Sequence, residues 1–101
     1  MTVEEIPIRK IEEFCKRWKI TEFSLFGSVL REDFSADSDV DVLVTLGPES
    51  HVSLLDWVDM QDELRAVFGR EVDLVSRGGL RNPFRRKEIL RTRKVIYAES
   101  A

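Results

Sequence analysis

Hydrophobic residues recur every three or four positions in two segments of the chain, and this spacing predicts two amphipathic helices. The first extends from about residue 4 to residue 19 and includes Pro7, which a helix tolerates only in its first turn. The second begins after Ser53, which forms a capping-box pattern with Asp56 three residues later, and it stops at Gly69. Its apolar positions are Leu54, Leu55, Val58, Leu64, Val67 and Phe68.

Shorter apolar runs, bounded by glycine or polar residues, predict strands. They lie at residues 22–26, 39–46 and 71–75, and residues 95–97 predict a short closing strand. Asn82-Pro83 predicts the start of a third helix, because proline fits the first helical position, and Ile89 and Leu90 supply its apolar side. The mixture of helices and strands indicates an α/β or α+β fold.

The chain length of 101 residues indicates one domain covering residues 1–101, because compact domains usually hold about 100 to 150 residues. Its 43% hydrophobic and 35% charged residues are typical of a soluble globular protein. The sequence shows neither a secretory signal nor a run of about 18 apolar residues, so we expect a cytoplasmic protein without a membrane segment. A single cysteine, Cys15, agrees with a reducing compartment and is interpreted as a packed core residue.

The net charge of −3 conceals an uneven distribution of charge along the chain. Residues 77–94 contain eight basic residues and one acid, whereas the rest of the chain contains eight basic residues and eighteen acids. The basic segment therefore has a charge of +7, and the remainder has a charge of −10. Such a segment could bind a triphosphate, an acidic partner or nucleic acid. The overall acidity and the few aromatic residues in the segment argue against a dedicated nucleic-acid-binding protein.

Two acids, Asp39 and Asp41, stand one residue apart in the predicted strand 39–46. Because strand side chains alternate between faces, both acids point to one side, with Cβ atoms about 6 to 7 Å apart. Two carboxylates at this separation in a partly desolvated site repel each other, and a divalent cation removes the conflict. Magnesium prefers one or two carboxylates and completes its ligands with water and substrate phosphates. The alternative is a pair of acids on the solvated face of a half-exposed strand.

Two further features favour a metal site over a solvated surface. Gly27-Ser28 follows the predicted strand 22–26 at a turn, where free backbone N–H groups and the serine hydroxyl can bind phosphate. Asp73 lies in the middle of the predicted strand 71–75. Three acids on neighbouring strands could therefore bind metal and accept a proton.

The residues that invite comparison with a known family are Gly27, Ser28, Arg31, Ser38, Asp39, Asp41 and Asp73. Their order and spacing resemble the nucleotidyltransferase signature of the DNA polymerase β superfamily. More narrowly, the chain is similar to minimal nucleotidyltransferases of the MNT type, which are often antitoxin partners of HEPN toxins. The stretch from Asn82 to Tyr97 also resembles the end of that family, so the similarity covers nearly the whole chain. Glu32 and Ala36 depart from the glycine and proline that are frequent there, which affects the expected shape of the loop.

The resemblance implies a nucleotidyltransferase fold, with a small mixed β-sheet flanked by helices. It implies that Asp39, Asp41 and Asp73 are catalytic and bind two Mg²⁺ ions, and that Asp73 accepts the proton of the attacking hydroxyl. The implied nucleotide-binding residues are Gly27, Ser28, Arg31 and Ser38, although Arg31 could instead pair with Asp33 or Asp37. The implied reaction transfers AMP from ATP to a hydroxyl, expected to be a tyrosine of a partner HEPN toxin. The chain would then be the antitoxin of a toxin–antitoxin system.

Three other functions stay open on the sequence alone. The chain could be a non-catalytic antitoxin that neutralises its partner by occlusion. It could be a nucleotidyltransferase for a small molecule such as an antibiotic, although such enzymes normally carry an added acceptor domain. It could also be a nucleic-acid-binding regulator, and the sequence allows a homo-oligomer.

Overall fold

The computed structural model describes residues 6–27 and 39–99, which form helices packed on a β-sheet. In chain order the elements are α1 (Ile8–Trp18), β1 (Ile20–Phe26), β2 (Val40–Leu46), α2 (Leu54–Phe68), β3 (Val72–Ser76), α3 (Pro83–Thr92) and β4 (Lys94–Ala98). A short 3₁₀ turn, Arg77–Gly79, follows β3. The predicted mixed fold of helices and strands is therefore confirmed. Within the described ranges, we find no helix that is both long enough and apolar enough to cross a membrane.

The strands form a mixed sheet in the order β3-β2-β1-β4. Strand β1 runs antiparallel to both of its neighbours, β2 and β4, whereas β2 and β3 are parallel. The parallel pair requires a crossover connection, which contains α2. A backbone hydrogen bond of 2.9 Å, donated by the Val40 N–H to the Glu71 carbonyl, aligns the starts of β2 and β3. Both strands therefore begin at one edge of the sheet, beside the point where β1 ends.

Alternation of side chains along the strands separates two hydrophobic clusters on opposite faces of the sheet. The larger cluster lies between the sheet and the helices α1 and α2, and its buried members include Ile11, Phe14, Phe23, Val42, Val44, Met60 and Leu64. The smaller cluster lies under α3 and contains Phe26, Leu43, Leu80 and Ile89. Most of the buried apolar surface is therefore on the face covered by α1 and α2.

Side-chain caps set the starts of α2 and α3. The capping box predicted for α2 is confirmed, because the Ser53 hydroxyl accepts a 3.1 Å hydrogen bond from the Asp56 N–H, and the Asp56 carboxylate accepts one from the Ser53 N–H. Helix α2 ends at Gly69, whose φ of 67° is in the left-handed region that glycine adopts easily. At α3, the Asn82 side chain accepts hydrogen bonds from two backbone N–H groups of the first turn, and Pro83 occupies the first helical position.

Helix α1 begins later than the sequence predicts. It starts at Ile8 with Pro7 as its N-cap, whereas we expected a start near residue 4 with Pro7 inside the first turn. The buried side of α1 is formed by Ile11, Phe14 and Cys15, as the helical spacing predicts. Burial raises the pKa of the Cys15 thiol to about 12, so the interpretation of this cysteine as an unreactive core residue is consistent with its environment.

The predicted apolar side of α2 is wrong in its first turns. Leu54 and Leu55 are 88% and 78% exposed, and Val58 is also exposed. The fully buried side chains of α2 are Met60 and Leu64, which lie four residues apart and face the larger cluster. The first turn of α2 therefore leaves large apolar side chains in contact with solvent.

Candidate active site

Three acids lie at the edge of the sheet where β2 and β3 begin. Asp41 and Asp73 are direct partners in the register of the parallel pair, so their Cα atoms are separated by about one strand spacing of 5 Å. Alternation along β2 places Asp41 on the same face as Leu43, which is the face covered by α3. Asp39 immediately precedes β2, and Asp39 and Asp73 are exposed, while Asp41 is partly buried. The three predicted catalytic acids therefore share one site.

The end of β1 contributes a glycine that lies against one of these acids. Phe26 pairs with Asp41 in the antiparallel register, and Gly27 follows with a φ of 73°. A Cβ atom added to Gly27 would lie 2.3 Å from Oδ2 of Asp41, which is far inside van der Waals contact. The positive φ favours glycine at position 27, and a side chain there would also displace the Asp41 carboxylate. The predicted phosphate-binding turn thus begins beside the acids.

The charges of the acids conflict with one another. Burial raises the pKa of the Asp41 carboxyl above its ordinary value, and the negative charges of Asp73 and Asp39 raise it further. The positive charge of Arg85 has the opposite effect and lowers this pKa. The surplus of negative charge at the edge of the sheet would be relieved by a cation.

The donor atoms at this site fit magnesium. Within residues 6–27 and 39–99, no three histidine, cysteine or acidic side chains converge as a complete set of metal ligands. Magnesium does not need such a set, because it is usually held by one or two carboxylates and completes its ligands with water and substrate phosphates. Carboxylate oxygens from Asp39 and Asp41, beside a glycine turn suited to phosphate, meet this requirement. Water and a nucleotide phosphate would complete the ligands of a magnesium ion held here.

Helix α3 brings a residue to the site that sequence reasoning did not assign to it. Ile89 packs with Phe26 and Leu43 on the sheet face that carries Asp41. Arg85 lies one turn before Ile89, on the same side of the helix, and its charge acts on Asp41. In the sequence Arg85 is one of eight basic residues between positions 77 and 94, and its spacing of four from the apolar Ile89 was the available signal.

The predicted nucleotide-binding residues are only partly covered by the structure. Gly27 lies at the site, as described above. Ser28, Arg31 and Ser38 lie outside the described residues, so their assignment to the nucleotide stays a prediction.

A cleft of about 420 Å³ opens at the other end of the sheet, among residues that include Lys19, Gly47 and Tyr97. It lies where β1 starts and β2 ends, about 20 Å along the strands from the acids. Lysine and glutamate side chains both line this cleft, so its charge does not favour one class of ligand. The candidate active site is therefore the end of the sheet where the three acids lie near Gly27, although it is not the site of this cleft.

Comparison with known proteins gives matches over nearly the whole chain. Residues 8–96 match the family described as the nucleotidyltransferase domain. Protein adenylyltransferase MntA of Thermococcus cleftensis is 35% identical over 95 residues, which are 94% of this chain and 91% of that protein.

Solved structures agree with this match. A structure provisionally described as a minimal nucleotidyltransferase is 32% identical, with a TM-score of 0.74 over 93% of this chain and 95% of that one. A complex of a tri-AMPylated Shewanella oneidensis HEPN toxin with its MNT antitoxin contains a chain that is 20% identical, with a TM-score of 0.62 over 91% of this chain and 70% of that one. At this lower identity the likeness extends to the fold alone.

Proposed function

This chain belongs to the nucleotidyltransferase family and is an enzyme of that class, and we propose that it transfers AMP from ATP to a hydroxyl of a partner protein. The observation that carries the proposal is the register that pairs Asp41 with Asp73, next to the close approach of Gly27. The name of the relative from Thermococcus cleftensis supports AMP as the transferred group and a protein as the acceptor. The AMPylated toxin in the Shewanella oneidensis complex supports a HEPN-type toxin as that partner.

Each residue of the site has a defined task in this reaction. Asp39 and Asp41 would hold Mg²⁺, with Asp73 completing a second metal site, and the bound metal would neutralise the triphosphate and the departing pyrophosphate. The backbone at Gly27 can approach a phosphate closely because it carries no side chain. We assign Ser28, Arg31 and Ser38 to the same nucleotide.

The bond changes are those of a nucleotidyl transfer. The acceptor oxygen forms a bond to the α phosphorus of ATP, and the bond from that phosphorus to the oxygen bridging to the β phosphorus breaks. Pyrophosphate leaves with the electron pair of the broken bond. Asp73 is exposed on β3 and accepts the proton of the acceptor hydroxyl, which we expect to belong to a tyrosine.

A protein acceptor is supported by apolar side chains on the surface of the chain. Leu54, Leu55 and Val58 are exposed on neighbouring turns of α2, and Phe84 is 85% exposed at the start of α3. Exposed apolar groups of this size often mark surfaces that bind other proteins.

The proposal is tested by incubating the protein with ATP labelled in its α phosphate, Mg²⁺ and the HEPN protein encoded beside it. We expect label on the partner, and we expect Asp39→Asn to abolish the transfer. Glu13→Gln is the matched control, because Glu13 is an exposed acid on α1, which covers the face of the sheet opposite to the acids. Absence of label on the partner with the wild-type protein would contradict the proposal.

A non-catalytic antitoxin is the second candidate, and the exposed apolar groups of α2 favour binding under either function. The two are separated in cells that express the toxin. If the folded double variant Asp39→Asn, Asp41→Asn still protects the cells, occlusion is sufficient. Loss of protection with this variant supports catalysis.

A further inference from the structure

We infer that Arg85 is a nucleotide-binding residue that binds the β and γ phosphates of ATP and stabilises the pyrophosphate as it leaves. This inference rests on the proposed nucleotidyl transfer and adds to it a residue from α3. It gives one member of the basic segment, residues 77–94, a specific role. The Arg85 guanidinium would then be a cationic group on the same face of the sheet as the acids.

The position of Arg85 follows from how α3 is anchored. Asn82 caps the helix and Pro83 begins it, so the first turn is fixed at its start. One turn after Arg85, Ile89 is 6% exposed and packs against Phe26 and Leu43. Because residues four apart lie on the same side of a helix, Arg85 faces the sheet side that carries the acids.

Among the described residues, the Arg85 guanidinium has no acidic partner in an ion pair. Two other arginines at this end of the chain are held by acids, since Arg91 pairs with Glu88 at 2.8 Å and Arg93 pairs with Glu22 at 3.3 Å. Over residues 6–27 and 39–99, no ion pair or side-chain hydrogen bond involves the Arg85 guanidinium, and the residue is exposed. Its charge nevertheless acts on the partly buried Asp41, which places it within electrostatic range of the acids.

The order of the strands indicates which phosphates Arg85 meets. Attacking and leaving oxygens lie roughly in line on opposite sides of the phosphorus. The proposed function places a phosphate of the nucleotide against Gly27, which directly follows β1, and β2 separates that strand from Asp73 on β3. Ile89, which anchors α3, belongs to the same buried cluster as Phe26, the last residue of β1. The anchor of the helix that carries Arg85 therefore includes the end of the strand to which we assign the leaving group.

The chemistry of the guanidinium suits this task. A guanidinium is a cation whose planar donors can bind two phosphate oxygens at once. When the bond between the α phosphorus and the bridging oxygen breaks, negative charge increases on the pyrophosphate. A fixed positive charge near this group stabilises the transition state more than the ground state.

The inference is tested with three variants of the full chain. Arg85→Gln removes the charge, Arg85→Lys keeps it without the planar fork, and Lys87→Gln removes a charge two residues away on a different side of the same helix. For Arg85→Gln we expect kcat/KM for ATP to fall about ten- to hundredfold, as for loss of a hydrogen bond to a charged group. We expect Arg85→Lys to recover part of this loss and Lys87→Gln to leave kcat/KM unchanged.

Binding of ATP and AMP, each measured with Mg²⁺ by isothermal titration calorimetry, separates a role at the outer phosphates from a general effect. We expect Arg85→Gln to lower the affinity for ATP at least about tenfold. The affinity for AMP should not change, because AMP lacks the β and γ phosphates. Equal affinity for ATP in the variant and the wild type would overturn the inference. A loss of affinity that is equal for ATP and AMP would also overturn it.

These outcomes are distinct from failure of the proposed function. If the wild-type protein binds ATP in a manner that depends on Arg85 but labels no partner, the role of Arg85 stands and the proposed acceptor is wrong. If the wild-type protein transfers AMP and Arg85→Gln transfers it equally well, the proposed function stands and the role of Arg85 is wrong. If the wild-type protein binds no nucleotide, both are wrong.

Discussion

The two faces of the sheet differ in what they bury. The face under α1 and α2 holds the larger hydrophobic cluster, in which Phe14, Phe23 and Val42 are fully buried. The face under α3 holds a cluster of four buried side chains and, at its edge, the carboxylates of Asp41 and Asp73. One face therefore supplies most of the stability, while the other places charged groups together at a cost in free energy.

Helix α3 buries few side chains, although it carries Arg85, the residue that we assign to the site. Ile89 is the only buried residue of α3, all of whose residues are described. Most of its remaining side chains are polar and exposed. A helix with so narrow an apolar side gains little from burial. What α3 contributes is Arg85, whose positive charge acts on Asp41.

The largest expected effect comes from removing the conflicting charge at Asp41. Asp41→Asn should reduce AMP transfer by at least about a hundredfold, since a metal ion contributes several kcal/mol to transition-state stabilisation. The same change should raise the free energy of unfolding at neutral pH, because the charged carboxylate is disfavoured in the folded protein. Transfer assays and thermal unfolding on the same preparation measure both effects.

The pH dependence of this gain follows from the direction of the pKa shift. The pKa of Asp41 is raised on folding, so the folded protein keeps its proton to higher pH than the unfolded chain does. The contribution of Asp41 to stability is therefore present below the unfolded pKa and is lost as the pH rises through the folded pKa. The advantage of Asp41→Asn should be larger at pH 7 than near pH 4. A variant less stable than the wild type at pH 7 would contradict this account.

The two hydrophobic clusters should differ in their contribution to the free energy of unfolding. Phe14→Ala should lower the free energy of unfolding by about 3 to 5 kcal/mol, because it leaves a large cavity in the main core. Ile89→Ala should cost about 2 kcal/mol, at the low end for such a change, because its cluster is small and lies near the surface. Urea unfolding measures both values.

Only the second of these variants should impair transfer when both are fully folded. Ile89→Ala removes the side chain that packs α3 on the sheet, so Arg85 should be held less firmly and KM for ATP should rise. Phe14→Ala should leave KM unchanged. Both are measured at a low temperature at which the variants are folded. A larger stability loss for Ile89→Ala than for Phe14→Ala would show that the face under α3 is the main core.

The smallest expected effect concerns the two helix caps. Ser53→Ala at α2 and Asn82→Ala at α3 each remove a capping side chain and should each cost about 1 kcal/mol of stability. Only Asn82→Ala should also lower kcat/KM for ATP, because only α3 carries a residue of the site. Equal activity of the two variants would indicate that the start of α3 does not position Arg85.

Much of the fold could be predicted from local patterns in the sequence. The predicted strands lie within two residues of the observed ones, because glycine, proline and polar residues bound each apolar run. The capping box at Ser53 was found for the same reason, as its hydrogen bonds depend on residues close in sequence. Leu54 and Leu55 were misassigned, because helical spacing identifies an apolar side without showing how far the supporting sheet extends.

The candidate site was predictable in its residue types but not in its geometry. Asp39 was expected inside the strand but lies just before β2, although its charge still acts on Asp41. The pairing of Asp41 with Asp73 depends on strand register, which joins residues 32 positions apart. The approach of Gly27 to Asp41 likewise depends on register between β1 and β2. Arg85 could not be separated from the other basic residues without knowing which side of α3 meets the sheet.

The repulsion around Asp41 has a consequence for the lifetime of the protein. A ligand that binds only the folded chain increases its stability by mass action, and here the ligand would also remove an unfavourable charge pattern. Digestion by a protease should therefore be slower when ATP and Mg²⁺ are both supplied than when either is absent. The amount of this protein that survives in a cell would then follow the supply of its own substrate.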